Sequence, residues 1–337
     1  MTPAIFGIAG LTLSADERAF FRDADPAGYI VFGRNVASRD QLRALTDDLR
    51  SIHGREKTFI CIDQEGGRVA RMKPPEWLAF PPGGAFDALY DLAPASAIEA
   101  ARVNAQALGL DLAEVGISVD CHPVIDVRQP GAHDVIGDRA FGSEPLRVAA
   151  LGRAVLDGLA AAGVAGVIKH MPGHGRAGAD SHKELPTVTA SESELEIDIA
   201  PFRLLASAPI AMTGHIRFTV WDAENPATQS PFVIDEIIRK RIGFDGLLLT
   251  DDLDMEALSD SVPLRAAHAI AAGCDIALNC WAKMDDMVGI AEALPALSGE
   301  AAVRFDRALG ATDPAKADLA AQGELLAKRD ALLALAA

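Results

Sequence analysis

Residues 163–182 read GVAGVIKHMPGHGRAGADSH, and the fold turns on how that stretch divides. Its first six residues, Gly163 to Ile168, form an apolar run of the kind buried on both faces in a parallel sheet. The remainder crowds Lys169, His170, His174, Arg176, Asp180 and His182 around three glycines. A buried strand that runs straight into reactive side chains delivers them to a loop held by a rigid scaffold, where binding and catalysis concentrate.

The same grammar recurs along the chain. Short apolar runs at residues 5–9, 28–32, 58–62, 117–119 (with 124–127 behind it), 166–168, 210–212, 246–249 and 276–278 are bounded by Gly, Asp or Pro. Between them, apolar residues repeat at helical spacing, as in Ile98, Ala101, Ala105, Leu108 and Leu112, or Val148, Leu151, Val155 and Leu159. Ser191 to Glu194 reads as a capping box opening a helix, and further helices are expected over 231–241 and 263–272. Gly163, Gly243 and Gly273 stand where left-handed C-cap residues belong. Eight strand–helix units, with no Gly-x-Gly-x-x-Gly after the first strand, predict an α/β fold of the single (β/α)8 TIM type, with some irregular strands, rather than a doubly wound sheet. Residues 1–337 are expected to form one catalytic domain, ended by an Ala-rich helix after residue 310.

The chain has 337 residues, half of them hydrophobic, enough for a large core, and a formal charge of −17. So acidic a surface repels nucleic acid and anionic membranes, and neither is expected as a partner. No apolar run approaches the ~20 residues of a membrane span, and the N-terminus lacks the pattern of a secretory signal. Cys61, Cys121, Cys274 and Cys280 form no Cys-x-x-Cys pair, which predicts buried free thiols in a reducing compartment.

A barrel gathers its active site at the C-terminal ends of its strands. The polar residues expected there are Asp63, Gln64 and Glu65 after the third strand, His122 and Asp126 near the fourth, and Lys169 and His170 after the fifth. His215 follows the sixth, Asp251 and Asp252 the seventh, Asn279 the eighth. Asp251, ending the apolar run 247–249, can attack an electrophilic carbon, ligate a metal, pair with Lys169 or merely cap a helix. Asp180, two residues before His182, can accept its Nδ1–H and fix its tautomer, and imidazole exchanges protons near neutral pH. Asp63 can bind sugar hydroxyls. Arg68 or Arg71 can bind a carboxylate or brace the loop, and Asp138 with Arg139 reads as a surface ion pair unless the site recruits it. His170, His174, His182, Asp180 and Asp251 would suit a metal-dependent hydrolase, but His170 and His174 lack the helical i, i+4 spacing of a zinc motif.

These motifs resemble glycoside hydrolase family 3, in particular the bacterial β-N-acetylglucosaminidases of peptidoglycan recycling. The family's Lys-His-Phe-Pro-Gly-His-Gly…Asp-Ser-His loop is similar to Lys169–His182. Its Asp-x-Glu-Gly-Gly-Arg-Val-x-Arg, Ile-Gly-x-Arg and Ser/Thr-Asp-Asp-Leu-x-Met segments are similar to 63–71, 136–139 and 250–255. Met171 stands where the family has Phe, and Asp254 where it often has Ser. The resemblance implies a retaining exo-β-N-acetylglucosaminidase that removes N-acetylglucosamine from imported muropeptide fragments (GlcNAc-β-1,4-anhydroMurNAc, with or without peptide), acting as a cytoplasmic monomer without metal or cofactor. It implies Asp251 as nucleophile, His182 as acid/base with Asp180 as its partner, and Asp63, Arg71, Arg139, Lys169 and His170 as ligands of the sugar. The glycines of the loop would let His182 move between the two chemical steps.

Overall fold

Strands apolar on both faces need cover on both faces, and a parallel sheet rolled into a cylinder supplies it with side chains inside and helices outside. The computed structural model describes residues 1–336 and has this form. Ten strands occur: β1 (Thr2–Gly7), β2 (Pro26–Val31), β3 (Phe59–Ile62), β4 (Val119–Asp120), β5 (Ala165–Met171), β6 (Thr187–Val188), β7 (Ile210–Thr213), β8 (Arg217–Phe218), β9 (Leu247–Asp252) and β10 (Ile276–Asn279). Eight of them close a barrel in the order β1-β10-β9-β7-β5-β4-β3-β2, every pairing parallel. The short β6 and β8 pair with each other outside it, in the loops that follow β5 and β7.

Alternation along the strands sorts the core into two compartments. Ile5, Ile30, Val167, Met212, Leu249 and Leu278 fill the barrel interior. Their chain neighbours Phe6, Val31, Ile168, Ala211, Leu248 and Ala277 face the helical ring. The helix Gly299–Gly310 seals the N-terminal end of the barrel: its Phe305 and Ala308 belong to the interior cluster, and Phe305 meets Phe59 edge-on with ring centroids 5.0 Å apart.

Most expected elements form. Ser191 and Glu194 make the capping box of the helix Glu192–Leu204, and Gly163, Gly243 and Gly273 all have positive φ. The expected helices at 231–241 and 263–272 are Val233–Ile242, which is π-type, and Val262–Ala272. The fourth strand is the irregular one. Only Val119–Asp120 pairs continuously, and beyond it a single bridge joins Val124 to Lys169. Pro123, which has no N–H to offer a ladder, interrupts the run. The final helix, Gln322–Leu333, lies on the helix Pro94–Glu114, where Gln322 Nε2 donates to the Ala107 carbonyl at 3.0 Å and Lys328 pairs with Glu99. All four cysteines are buried and free. Among the described residues no helix is long and apolar enough to cross a membrane.

Phe305→Ala should leave a void beneath the barrel and cost about 3–5 kcal/mol of stability. Equilibrium urea unfolding measures this, and an unchanged midpoint would mean that the seal contributes little.

Candidate active site

The open end of the barrel is organised by a lysine that water scarcely reaches. Lys169, in β5, is 2% exposed. A buried ammonium needs close opposite charge to remain ionised. Two carboxylates from the loop after β3 supply it: Asp63 Oδ1 lies 3.0 Å and Glu65 Oε1 2.8 Å from Nζ. Each carboxylate is shared with an arginine. Arg139 grips Glu65 with a bidentate fork, Nε to Oε2 and Nη2 to Oε1, both 2.8 Å. Arg71 Nη2 donates to Asp63 Oδ2 at 3.1 Å. Burial presses the Glu65 pKa upward, but Arg139 and Lys169 outweigh it and hold the carboxyl well below its usual range. Burial works equally against the Lys169 charge, and Asp63 and Glu65 reverse the effect, raising its pKa.

A second anchor fixes the start of the Lys169–His182 loop. Asp126 Oδ2 accepts from His170 Nδ1–H at 2.7 Å, while Oδ1 accepts the backbone N–H groups of His170 (3.1 Å) and His174 (2.6 Å). With Nδ1 engaged by Asp126, Nε2 is the His170 ring nitrogen left for another partner. His174 Nε2 is hydrogen-bonded to Ser181 Oγ at 3.2 Å. Gly175 passes so close to Val127 that a Cβ would stand 1.8 Å from its carbonyl oxygen, and only glycine fits there. The loop stays anchored through Ala177, which is buried and accepts from the His133 N–H at 2.8 Å, whereas Gly178 has open space around it. Past that point Asp180 Oδ1 accepts from both the backbone N–H (3.0 Å) and the ring Nδ1–H (2.8 Å) of His182. The His182 side chain is 64% exposed and that of Asp180 17%. Burial tends to raise the Asp180 pKa, yet these two hydrogen bonds outweigh it and the group sits below its ordinary value.

Asp251 faces them from β9. Burial alone would protonate it, but the fields of His170 and His215 and the Asp252 N–H, donating at 2.8 Å, pull its pKa down to about 2. His215 is fully buried between Thr228 Oγ1 (2.8 Å) and the Asp252 carbonyl (2.9 Å). Asp252 behaves oppositely: burial and the adjacent Asp254 carboxylate push its pKa up.

One cleft of about 140 Å³ collects these groups: Asp63, Arg71, Arg139, Lys169, His170, His182 and Asp251 all line it, and Asp180 stands behind His182. At ~10–15 Å³ per water-sized volume it has room for roughly ten waters, the scale of one monosaccharide. The two arginines of the β3 loop divide the tasks left open above. Arg71 faces the cleft, whereas Arg68 braces the neighbouring loop by donating to the carbonyls of Asp134 and Val135 (2.8 Å each) and pairing with Asp138 at 3.1 Å. Arg139 therefore does not pair with Asp138. Its partner is Glu65, a residue that sequence reading set at a strand end without giving it a role, and its two-residue spacing from Asp63 was the available signal. Asp126 and Asp252, expected only as polar groups at strand ends, and His174, expected only as a possible metal ligand, are likewise part of the site. Lys169 pairs with Asp63 and Glu65, not directly with Asp251. Among the described residues no three His, Cys, Asp or Glu side chains gather as a metal cluster.

Comparison with known proteins gives concordant results. Residues 7–309 match the family described as glycosyl hydrolase family 3 N terminal domain. The chain is similar to the beta-hexosaminidase of Alkalilimnicola ehrlichii, 40% identical over 283 residues covering 82% of this chain and 80% of that protein. It is also similar to the beta-hexosaminidase of Bordetella pertussis, 38% identical over 291 residues, 84% and 81% of the two. Among solved structures it resembles NagZ from Neisseria gonorrhoeae in complex with N-trifluoroacetyl-D-glucosamine, with a TM-score of 0.88 at 29% identity, covering 100% of this chain and 98% of that one.

The buried histidines set a pH dependence. Burial lowers His122 and His174 to about 4, against about 6.5 in an unfolded chain. Between those values the unfolded chain binds protons at these two positions that the folded one does not, so each histidine withdraws stability as pH drops from about 6.5 towards 4, against the opposite contribution of the Asp252 and Asp198 carboxyls, whose raised pKa values let the folded chain take up protons first. The depressed carboxylates, Glu65 and Asp251, weaken the fold only at lower pH, below about 4.5. Unfolding free energies from urea titrations at pH 7 and pH 5 should show a pH slope that His122→Leu shifts by up to about 2 kcal/mol in favour of pH 5. An equally steep slope in that variant would show that His122 is not a source.

Proposed function

The chain belongs to glycosyl hydrolase family 3 and is a β-N-acetylhexosaminidase, and on that premise we propose that it is a retaining exo-β-N-acetylglucosaminidase acting on cell-wall muropeptide fragments. Its substrate is N-acetylglucosamine β-1,4-linked to anhydro-muramic acid, with or without peptide. It acts in the cytoplasm as a monomer and as one catalytic unit, without metal or cofactor. The reading is carried by the meeting of Asp251 and His182, 69 residues apart in sequence (251 − 182), in the wall of one monosaccharide-sized cleft.

Asp251, ionised at neutral pH, attacks the anomeric carbon as the C–O bond to the aglycone breaks. His182, protonated, gives its Nε2 proton to the departing oxygen. The product of that step is a glycosyl ester on Asp251. Water then attacks the same carbon, His182 takes its proton, and the second displacement restores both the carboxylate and the starting anomeric configuration. Asp180 holds Nδ1–H, so proton traffic passes through the outer nitrogen, and its negative charge stabilises the imidazolium. Most retaining glycosidases use a carboxylic acid in this role; an exposed histidine serves both halves of the cycle if its side chain swings between them.

Asp63, Arg71, Arg139, Lys169 and His170 hold the sugar. Asp63 and Lys169 offer an acceptor and a donor to ring hydroxyls, and His170 Nε2 accepts from another. Arg139 keeps Glu65 and thereby Lys169 in place. The N-trifluoroacetyl-D-glucosamine bound by NagZ from Neisseria gonorrhoeae supports an N-acylated glucosamine as the sugar recognised.

Asp251→Ala should lower turnover by about 10⁴-fold or more, and a 5-fluoro N-acetylglucosaminyl reagent should label Asp251, detectable by mass spectrometry of the peptide. Near-normal activity of the variant, or a label elsewhere, would remove the nucleophile assignment. His182→Ala should lose about 10²–10⁴-fold on a sugar leaving group but little on an activated aryl one. Equal losses on both would argue against proton donation.

A further inference from the structure

The cleft accommodates one sugar ring, so whatever that sugar is attached to must rest on the rim. Trp281 stands there. It directly follows Cys280, which lines the cleft beyond the end of β10. Its indole is 61% exposed, while Trp77 and Trp221 are buried. Phe232 is the other exposed aromatic among the described residues, and neither of its chain neighbours belongs to the cleft wall.

The indole is exposed but its backbone is fixed. Asp254 Oδ2 accepts from Asn279 Nδ2 (2.8 Å), Cys280 N–H (3.1 Å) and Trp281 N–H (3.2 Å). The Asp254 N–H in turn donates to Asp252 Oδ1 at 3.1 Å, and Asp252 lines the cleft beside Asp251. A run of hydrogen bonds thus ties the Trp281 segment to the strand that carries Asp251. The three donors converge on one carboxylate oxygen, whose negative charge makes it a stronger acceptor than the neutral hydroxyl often found at this position in the resembling family. Beyond Trp281 the chain turns through Ala282 at φ 56, a left-handed conformation uncommon for a residue with a side chain. That turn brings Lys283 back, with Nζ 5.2 Å from the indole centroid. The ammonium attends one face of the ring, leaving indole surface in solvent one residue from the cleft wall.

From this arrangement we infer that Trp281 is the stacking platform for the aglycone: a pyranose joined to the terminal N-acetylhexosamine packs its C–H face against the indole. The inference rests on the glycosidase reading and extends it to the second ring of the substrate. It makes Trp281 a specificity residue, favouring glycosides whose leaving group is a ring over those whose leaving group is small.

The test compares wild type, Trp281→Ala and Trp281→Phe on two probes: N,N′-diacetylchitobiose, whose aglycone is a pyranose, and β-N-acetylglucosaminyl azide, whose aglycone has no ring. On the disaccharide Trp281→Ala should lose on the order of tenfold in kcat/KM, chiefly through KM, and Trp281→Phe should recover part of it. On the azide both variants should match wild type. Losses equal on the two probes, or absent on both, would overturn the platform while leaving the glycosidase reading intact. A wild type active on the azide alone would also overturn it. A wild type inactive on both probes and on aryl N-acetylglucosaminides would sink the glycosidase reading and this inference with it. Binding gives a second readout, because Trp281 is the exposed one of three tryptophans. In the Asp251→Asn variant, saturating disaccharide should shield fluorescence from acrylamide quenching, and N-acetylglucosamine alone should not. Shielding by both sugars or by neither overturns the proposal, as does shielding that follows protein concentration instead, which would assign Trp281 to a contact between copies of the chain.

Discussion

A lysine ammonium held almost wholly out of water is the constraint around which the mouth of this barrel is built. Lys169 can stay charged there only with carboxylates at hydrogen-bond distance, and Asp63 and Glu65 provide them. Those carboxylates, themselves buried, require cations of their own, which brings Arg71 and Arg139 inward. The result is a line of five alternating charges that joins β5, the loop after β3 and the 3₁₀ turn at Gly137–Arg139. Removing one partner of such a set leaves an uncompensated buried charge, at a cost of about 3–5 kcal/mol. The same line presents donors and acceptors to the cleft in fixed positions, so the network that must exist for electrostatic reasons also forms a polar floor suited to a hydroxylated ligand.

The two groups assigned to bond making and proton transfer live in opposite environments. Asp251 lies deep enough that burial opposes its charge, and it remains a carboxylate because His170 and His215 contribute positive potential around it. Asp252, one residue on, has Asp254 as its neighbour and is pushed the other way. Adjacent carboxyl groups at the end of one strand thus have different proton affinities because their side chains meet different partners. His182 is largely in solvent, tethered by one carboxylate, on a loop anchored as far as Ala177. A half-buried attacking group and an exposed proton carrier fit a reaction in which one position must be exact and the other must exchange with water.

Much of the architecture was legible in the chain. Strand spacing, capping signals and the position of Asp251 behind an apolar run depend on local sequence, because backbone hydrogen bonding and alternation of burial act over a few residues. Strand four was less so. Its apolar run continues past Pro123, but periodicity takes no account of a missing N–H. The partner of Arg139 was not legible either. Asp138 is next to it in sequence, yet a guanidinium cannot form a bidentate fork with its own chain neighbour as readily as with Glu65, which the barrel brings from 74 residues away.

Sequence by itself determined the alternation of strands and helices, the burial of the strand interiors and the chemical types gathered at strand ends, since these follow from side-chain hydrophobicity and short-range backbone geometry. Tertiary structure alone decided which of those polar groups meet: Lys169 with Asp63 across 106 positions, His170 with Asp126 across 44, Asp254 with the backbone of Trp281 across 27. Charge pairing falls off steeply with distance and hydrogen bonding demands alignment within fractions of an ångström, so neither can be read until closure of the barrel has fixed where each strand ends.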